Sequence, residues 1–386
     1  MAMIQQFQAT PPLSLYIHIP WCIRKCPYCD FNSHEKRDRI PEREYLQALT
    51  TDLEQSLPLI WGRSVQSVFI GGGTPSLLSP EFYDQLFSNI RARLSIIPSA
   101  EITMEANPGA TDTGKLQDFR DIGINRLSIG VQSFDDTTLE KLGRIHTAAD
   151  AIKTIEAAHY AGFESINTDL MFGLPGQNED LAHKDIATAL ALEPQHLSYY
   201  QLTLEPNTAF YHNPPRLPYE DDIAAIQHQG WTLLGKKGYE QYEVSAFSKP
   251  QQQCQHNLNY WQFGDYLGIG AGAHGKLTQG AEQCIYRTTK PRSPKSYIAT
   301  QSYLESYSKV TPAELPLEFA MNAFRLTKGF APQLFTERTG LAINTIEQEL
   351  REAEKRDLIE WTIKLIQPTK LGKTYLNDLL ALFLNE

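Results

Sequence analysis

The chain of 386 residues is 41% hydrophobic and 21% charged, the composition of a folded protein rather than a disordered one. Lysine and arginine number 35 against 45 acidic residues, a net charge of −10, which argues against nucleic acid as a partner because phosphate binding needs a positive field. No apolar run reaches the about 18 residues of a membrane-spanning helix, and residues 1–12 lack the basic stretch and apolar core of a secretory signal. Five cysteines, three of them within eight residues, suit a reducing cytoplasm where thiols do chemistry better than a disulfide framework.

From residue 13 to about 204, β-rich runs alternate with helical stretches. Strands are expected at 13–19, 65–70, 102–106, 126–130, 165–171 and 197–204. Between them, groups such as Tyr45-Leu46-Leu49-Leu53 and Ile152-Ile155-Ala158 repeat apolar residues at helical spacing. That alternation implies βαβ units and a parallel sheet in an α/β fold. Six units are too few for a closed eight-fold barrel, so a partial (β/α)6 barrel is expected, with a doubly wound sheet as the alternative. Most expected strands end in short polar or glycine-rich turns, among them Gly71-Gly72-Gly73-Thr74-Pro75, Glu105-Ala106-Asn107-Pro108 and Gly130-Val131-Gln132-Ser133. Ligands of parallel α/β folds bind at the carboxyl ends of strands, so the unusual residues stand where a site belongs.

Residues 217–307 are less regular, with a helix expected at 221–236, a strand at 240–244 and loops at 254–261 and 268–275. From Thr311 the pattern turns helical at 319–326 and 343–356, then gives β runs at 359–363 and 365–367 and a closing helix at 371–384. Helix, helix and hairpin make a winged-helix-like module. With 9 basic and 11 acidic residues from Thr311 onward, it reads as a packing or protein-contact module rather than a DNA binder. Three regions follow: residues 1–215, 216–308 and 309–386.

The most specific signal is Cys22-Ile23-Arg24-Lys25-Cys26-Pro27-Tyr28-Cys29, a C-x3-C-x2-C array on the loop after the first strand. Three thiolates on one loop can hold three corners of a [4Fe–4S] cluster and leave the fourth iron open. Arg24 and Lys25 place positive charge where thiolates need it. Zinc, completed by His18 or His34, is the competing arrangement, though zinc sites usually pair two C-x2-C knuckles.

This array, preceded by Tyr16-Ile17-His18-Ile19-Pro20-Trp21 and followed by Asp30-Phe31-Asn32-Ser33-His34, resembles the radical S-adenosylmethionine (SAM) enzymes. Within them it is most similar to the haem-binding branch of the oxygen-independent coproporphyrinogen III oxidase family. The resemblance continues through 71–76, 105–109, 130–134, 142–146, 169–175, 256–261 and the C-terminal module. It implies a cluster on Cys22, Cys26 and Cys29 that binds SAM at its open iron and can cleave it reductively. It also implies that Gly72, Gly73 and Thr74 meet the SAM amino group, and that Glu105 and Gln132 meet the adenosine, Glu105 at the ribose. Arg144 would pair with the SAM carboxylate through a bidentate fork, and Asp169, Tyr16 and Tyr28 would complete the surroundings.

The oxidases of this family carry a further cysteine two positions after the last cluster cysteine, and a longer N-terminal extension. Here that position is Phe31, and only about a dozen residues precede the first strand. Both departures point away from decarboxylation. The haem-binding branch carries an H-N-x-x-Y-W pattern, present as His256-Asn257-Leu258-Asn259-Tyr260-Trp261. It implies haem handling, with His256 as the candidate axial ligand and Tyr260 and Trp261 as flat apolar surface. His274, on the glycine-rich Gly270-Ala271-Gly272-Ala273-His274-Gly275, is a weaker ligand candidate; Cys254 reads as a core residue and Cys284 has no assigned role. The expected protein is a cytoplasmic haem chaperone delivering haem to apo-haemoproteins, without a membrane span or nucleic acid partner. A coproporphyrinogen III oxidase and a pure interaction module are the alternatives; a homodimer and peripheral membrane contact stay open.

Overall fold

The computed structural model describes residues 5–110 and 112–384. Six strands carry the first half: β1 (Leu13–Ile19), β2 (Val65–Gly72), β3 (Ile96–Ala106), β4 (Arg126–Gln132), β5 (Ser165–Phe172) and β6 (His196–Gln201). They pair side by side in chain order, all parallel. The crossovers carry α1 (Glu42–Ser56), α2 (Pro80–Arg91), α3 (Thr113–Ile122), α4 (Ala148–Tyr160) and α5 (Glu179–Ala191). Because right-handed crossovers that always step the same way leave every helix on one face, this order makes a partial barrel and not a doubly wound sheet. Every residue of β4 is buried, as a parallel strand covered on both faces should be. Side-chain caps from Ser79, Asp112, Thr147 and Asn178 open α2 to α5.

After α6 (Glu220–Lys236), β7 (Glu240–Glu243) and β8 (Ala246–Ser248) extend the sheet antiparallel beyond β6. The chain then forms α7 (Gln255–Trp261) and returns to the opposite edge. There β9 (Asp265–Ile269) pairs in parallel with β1, and β10 (His274–Gln279), β11 (Cys284–Thr289) and β12 (Ser306–Lys309) follow antiparallel. The sheet has twelve strands, with β12 and β7 as its unpaired edges. The parallel run is therefore one strand longer than expected, because β9 joins from a region the sequence left irregular.

Two buried ion-pair groups fasten this return. Asp265 accepts from Arg63 at 2.8 Å, Lys276 at 2.9 Å and Thr278 at 2.9 Å. Asp52 of α1 holds Lys290, and accepts from Tyr297 Oη at 2.6 Å and the Gly270 amide at 3.1 Å. Breaking either group would leave an uncompensated buried charge.

Several local expectations need correction. Residues 254–261 are not a loop but carry α7, and of 268–275 only 270–273 is a turn, its flanks belonging to β9 and β10. The helix expected at 319–326 runs Leu315–Ala323, started early by Pro316 in its first turn. The closing helix is two pieces, Lys370–Thr374 and Leu376–Ala381, interrupted at Tyr375. The wing is real: Ile359–Trp361 pairs antiparallel with Ile366–Pro368. Phe319, Phe335, Leu350 and Ile366 form a core separate from the barrel's, with Phe263 and Ile285 entering it from the middle region. We keep divisions near 215 and 308 as our proposal for domain boundaries. Among the described residues no helix is long and apolar enough to cross a membrane.

Candidate cofactor and ligand site

The cluster loop leaves the end of β1 and is closed at its base by a short parallel ladder pairing Trp21 with His34 and Cys22 with Glu35. The glycine turn after β2 docks against it: Gly73 N donates to Ile19 O and Thr74 N to Trp21 O, both at 2.7 Å. A Cβ on Gly73 would sit 2.5 Å from the Trp21 carbonyl oxygen, and one on Gly72, at φ +113°, 2.4 Å from the His18 ring. These glycines are thus required by protein packing, not only by the approach of a ligand. The Gly72 amide already donates to Glu105 Oε2 at 3.0 Å.

All three cysteines are half-buried on this loop. Burial pushes the thiols of Cys22 and Cys29 upward, while Thr74 Oγ1 at 3.6 Å opposes it at Cys22 and Ser33 Oγ at 3.7 Å opposes it at Cys29. Arg144 Nη1 points to Cys26 Sγ at 3.8 Å. His18 is no zinc ligand here: its Nε2 donates to Asn32 O and its Nδ1 accepts from Tyr16 Oη, both at 2.9 Å, so both nitrogens are committed. Among the described residues no three His, Cys, Asp or Glu side chains converge on a single metal ion. Three thiols on one loop, cations beside them and two donors aimed at sulfur are a donor set that fits a cluster.

A pocket of about 240 Å3 opens between Cys26, Thr74, Asn107 and Arg144. Asn107 joins its walls: its Nδ2 donates to Thr74 Oγ1 at 2.7 Å, and its Oδ1 accepts from Arg144 Nη2 at 2.8 Å. Arg144 also donates to Gly130 O at 2.7 Å. A hydrogen-bonded arc therefore runs from Cys22 through Thr74, Asn107 and Arg144 to Cys26. Sequence reasoning did not single out Asn107; its place at the carboxyl end of β3 was the available signal. Tyr28 packs against Phe210 at 6.4 Å between ring centroids, and burial raises its phenol.

A second cavity, of about 610 Å3, opens on the other side of the loop and is lined by Tyr16, Phe31, Gly72, Glu105, Tyr260 and His274, among others. Burial, aided by the charge of Asp169, pushes the Glu105 carboxyl up to about 8, so it is mostly the neutral acid at pH 7. A neutral carboxyl can donate one hydrogen bond and still accept. Asp169 accepts from Ser128 at 3.1 Å and Asn167 at 2.7 Å. Gln132, left-handed at φ 70°, accepts from Tyr200 Oη at 2.7 Å. A buried non-glycine residue in that conformation is costly and is held by its surroundings, as strained residues at functional sites are.

Of the His256 motif, Tyr260 reaches the larger cavity, while His256 and Trp261 do not line it. His256 is 2% exposed inside the barrel, stacked on Phe69 at 5.0 Å with Tyr260 edge-on at 4.9 Å. Burial holds its imidazole down at about 3, and it lines neither cavity. Trp261 faces the C-terminal module instead, with the Arg325 guanidinium 4.3 Å from its ring centre. Asn259 staples the barrel, donating to Ser14 Oγ at 2.9 Å and Asp265 O at 2.8 Å. Cys254 is buried with Sγ 3.3 Å from Glu101 Oε1, which fits a core residue.

The radical SAM superfamily profile matches residues 16–188, and the HemN C-terminal domain profile matches 310–374. The haem chaperone HemW of Escherichia coli K12 is 49% identical over 97% of this chain and 99% of its own length. The chain belongs to the HemW family. HemW of Haemophilus influenzae is 46% identical over 97% of this chain and 99% of its own, and that of Bacillus subtilis 35% over 97% and 99%. The solved structure of the E. coli coproporphyrinogen III oxidase HemN, a radical SAM enzyme, superposes with a TM-score of 0.82 at 22% identity, covering 97% of this chain and 90% of that one. At that identity the likeness is one of fold. Membership of the radical SAM superfamily implies a [4Fe–4S] cluster and SAM.

Proposed function

We propose that this protein is a cytoplasmic haem chaperone that binds haem and passes it to apo-haemoproteins, and that it carries a SAM-binding [4Fe–4S] cluster on Cys22, Cys26 and Cys29. The observation that carries this reading is the full-length identity of 49% to a protein named for that function, against 22% to the oxidase. Phe31 supports it, standing 59% exposed where the oxidases carry a further cysteine.

When bound, the reduced cluster would supply one electron to the SAM sulfonium. The chain's own part is to hold the cofactor. The Arg144 guanidinium, already set by Asn107 and Gly130, would take the SAM carboxylate in the smaller pocket. The turn at Gly72, Gly73 and Thr74 would present backbone to its amino group. Glu105, as a neutral acid, would face the ribose, with Gln132, Asp169, Tyr16 and Tyr28 shaping the rest of the adenosine site.

The test is anaerobic reconstitution followed by two parallel assays. Haem titration should give a Soret band, and the loaded protein should hand its haem to an apo-haemoprotein. Protoporphyrinogen formed from coproporphyrinogen III at about 1 per second or faster, an ordinary enzymatic rate, would overturn the chaperone reading in favour of the oxidase.

A further inference from the structure

The larger cavity shares Tyr16, Gly72 and Glu105 with the proposed SAM site, and carries three further groups that cofactor binding does not use. Phe31 presents its ring at the mouth, 59% exposed. His274 opens β10 on the rim with an exposed imidazole, and Arg292 stands beside it, also exposed. Burial of the ring and the Arg292 and Arg287 guanidinia lower the His274 imidazole, so it stays a neutral donor to metal.

We infer that this cavity is the haem site, with His274 as the axial iron ligand, Phe31 against the macrocycle face and Arg292 on a propionate. This rests on the haem-chaperone reading above. Four observations carry it. The cavity's 610 Å3 lies within the about 300–1,000 Å3 usual for a ligand of this size, whereas 240 Å3 on the other side of the loop is too small. Its inner wall is aromatic, with Tyr16, Tyr260 and Tyr266. Of its two cations, Lys290 is already bound to Asp52, which leaves Arg292 to receive a propionate. Finally, His256 is 2% exposed and lies behind the Tyr16 and Tyr260 rings rather than on the cavity's lining.

The rim is built as one piece with the cluster loop. Asn32 Nδ2 donates to Ala271 O at 3.0 Å and to Arg292 O at 2.9 Å. A Cβ on Gly272 would sit 2.2 Å from Asn32 Nδ2, so the turn leading to His274 needs glycine there. The positions of Phe31, His274 and Arg292 are thereby set relative to one another before any ligand arrives, which lowers the ordering cost of binding.

The experiment titrates haem into the anaerobically reconstituted full chain and its His274→Ala, Arg292→Ala and His256→Phe variants, reading the Soret band and affinity. SAM affinity by calorimetry serves as the folding check, since His274 and Arg292 lie outside the SAM contacts. His274→Ala should move the Soret maximum and weaken haem binding at least about tenfold, the scale of losses at metal sites. Arg292→Ala should weaken it about two- to fivefold, the worth of an exposed ion pair, with the Soret maximum unmoved. His256→Phe should leave the spectrum as it is. Wild-type spectrum and affinity in His274→Ala would overturn the assignment, and a shift confined to His256→Phe would return the ligand role to that residue. Failure of the wild-type chain to bind haem at all would instead overturn the chaperone reading, and this site with it.

Discussion

The pocket of about 240 Å3 beside Arg144 and the cavity of about 610 Å3 behind Phe31 share the cluster loop as a wall, yet their polar groups are committed differently. In the smaller one every polar side chain of the arc already has a partner: Thr74 with Asn107, Asn107 with Arg144, Arg144 with Gly130. In the larger one His274 and Arg292 stand exposed on the rim. A preorganised, hydrogen-bonded pocket suits the charged end of a cofactor bound in one pose. A larger, open cavity with an aromatic inner wall suits a large flat ligand that must also leave. The difference makes the two sides separable by mutation.

The largest effect is expected from Cys22→Ala. Iron after reconstitution should fall from about four per chain to background, because two thiolates do not retain a [4Fe–4S] cluster. Haem affinity measured on the same protein should survive, since none of the haem contacts is a cysteine. Loss of both activities together in a protein with unchanged circular dichroism would merge the two regions into one.

Arg144→Ala comes next. Removing a charge-assisted contact should weaken SAM binding by about 1.5–3 kcal/mol, read by calorimetry on cluster-loaded protein. Asn107→Ala should cost about 0.5–1.5 kcal/mol in the same measurement, because it touches the cofactor through Arg144 and Thr74. Combined with Arg144→Ala its effect should be less than additive; strict additivity would show that Asn107 does not act through the arginine.

A further effect is one of pH. Glu105 has a folded value of about 8 against about 4.3 in an unfolded chain, so between those values the folded state binds the extra proton. Its contribution to stability is therefore present at low pH and lost as pH rises toward 8. Glu105→Gln keeps the shape without the titration, so its melting temperature relative to the parent should climb between pH 5 and pH 9. A constant difference across that range would mean that Glu105 is already ionised in the folded protein.

Much of this site was legible in the residues because it is local. The three cysteines lie on one loop, so their spacing alone brings the thiols together. Strand alternation likewise gave the partial barrel, since period and turn chemistry are properties of neighbouring residues. The motif at 256–261 was only partly legible for the same reason: Tyr260 does line the larger cavity. An imidazole beside two aromatics looks like a ligand surface, but α7 turns His256 inward, Trp261 toward Arg325, and Asn259 onto Ser14 and Asp265. Successive residues on a helix point about 100° apart, so adjacency in the chain did not mean a shared face.

Composition, cysteine spacing and strand periodicity were enough to specify an α/β protein with a thiolate-rich loop at the carboxyl end of its first strand. Only the tertiary structure brought β9 back against β1, set Asn107 between Thr74 and Arg144, and carried His274 and Arg292 across to the mouth beside Phe31. Those meetings join residues tens to hundreds of positions apart. They depend on which sheet edge the returning chain pairs with, and the buried anchors at Asp52 and Asp265 fasten that pairing through contacts distant in the chain.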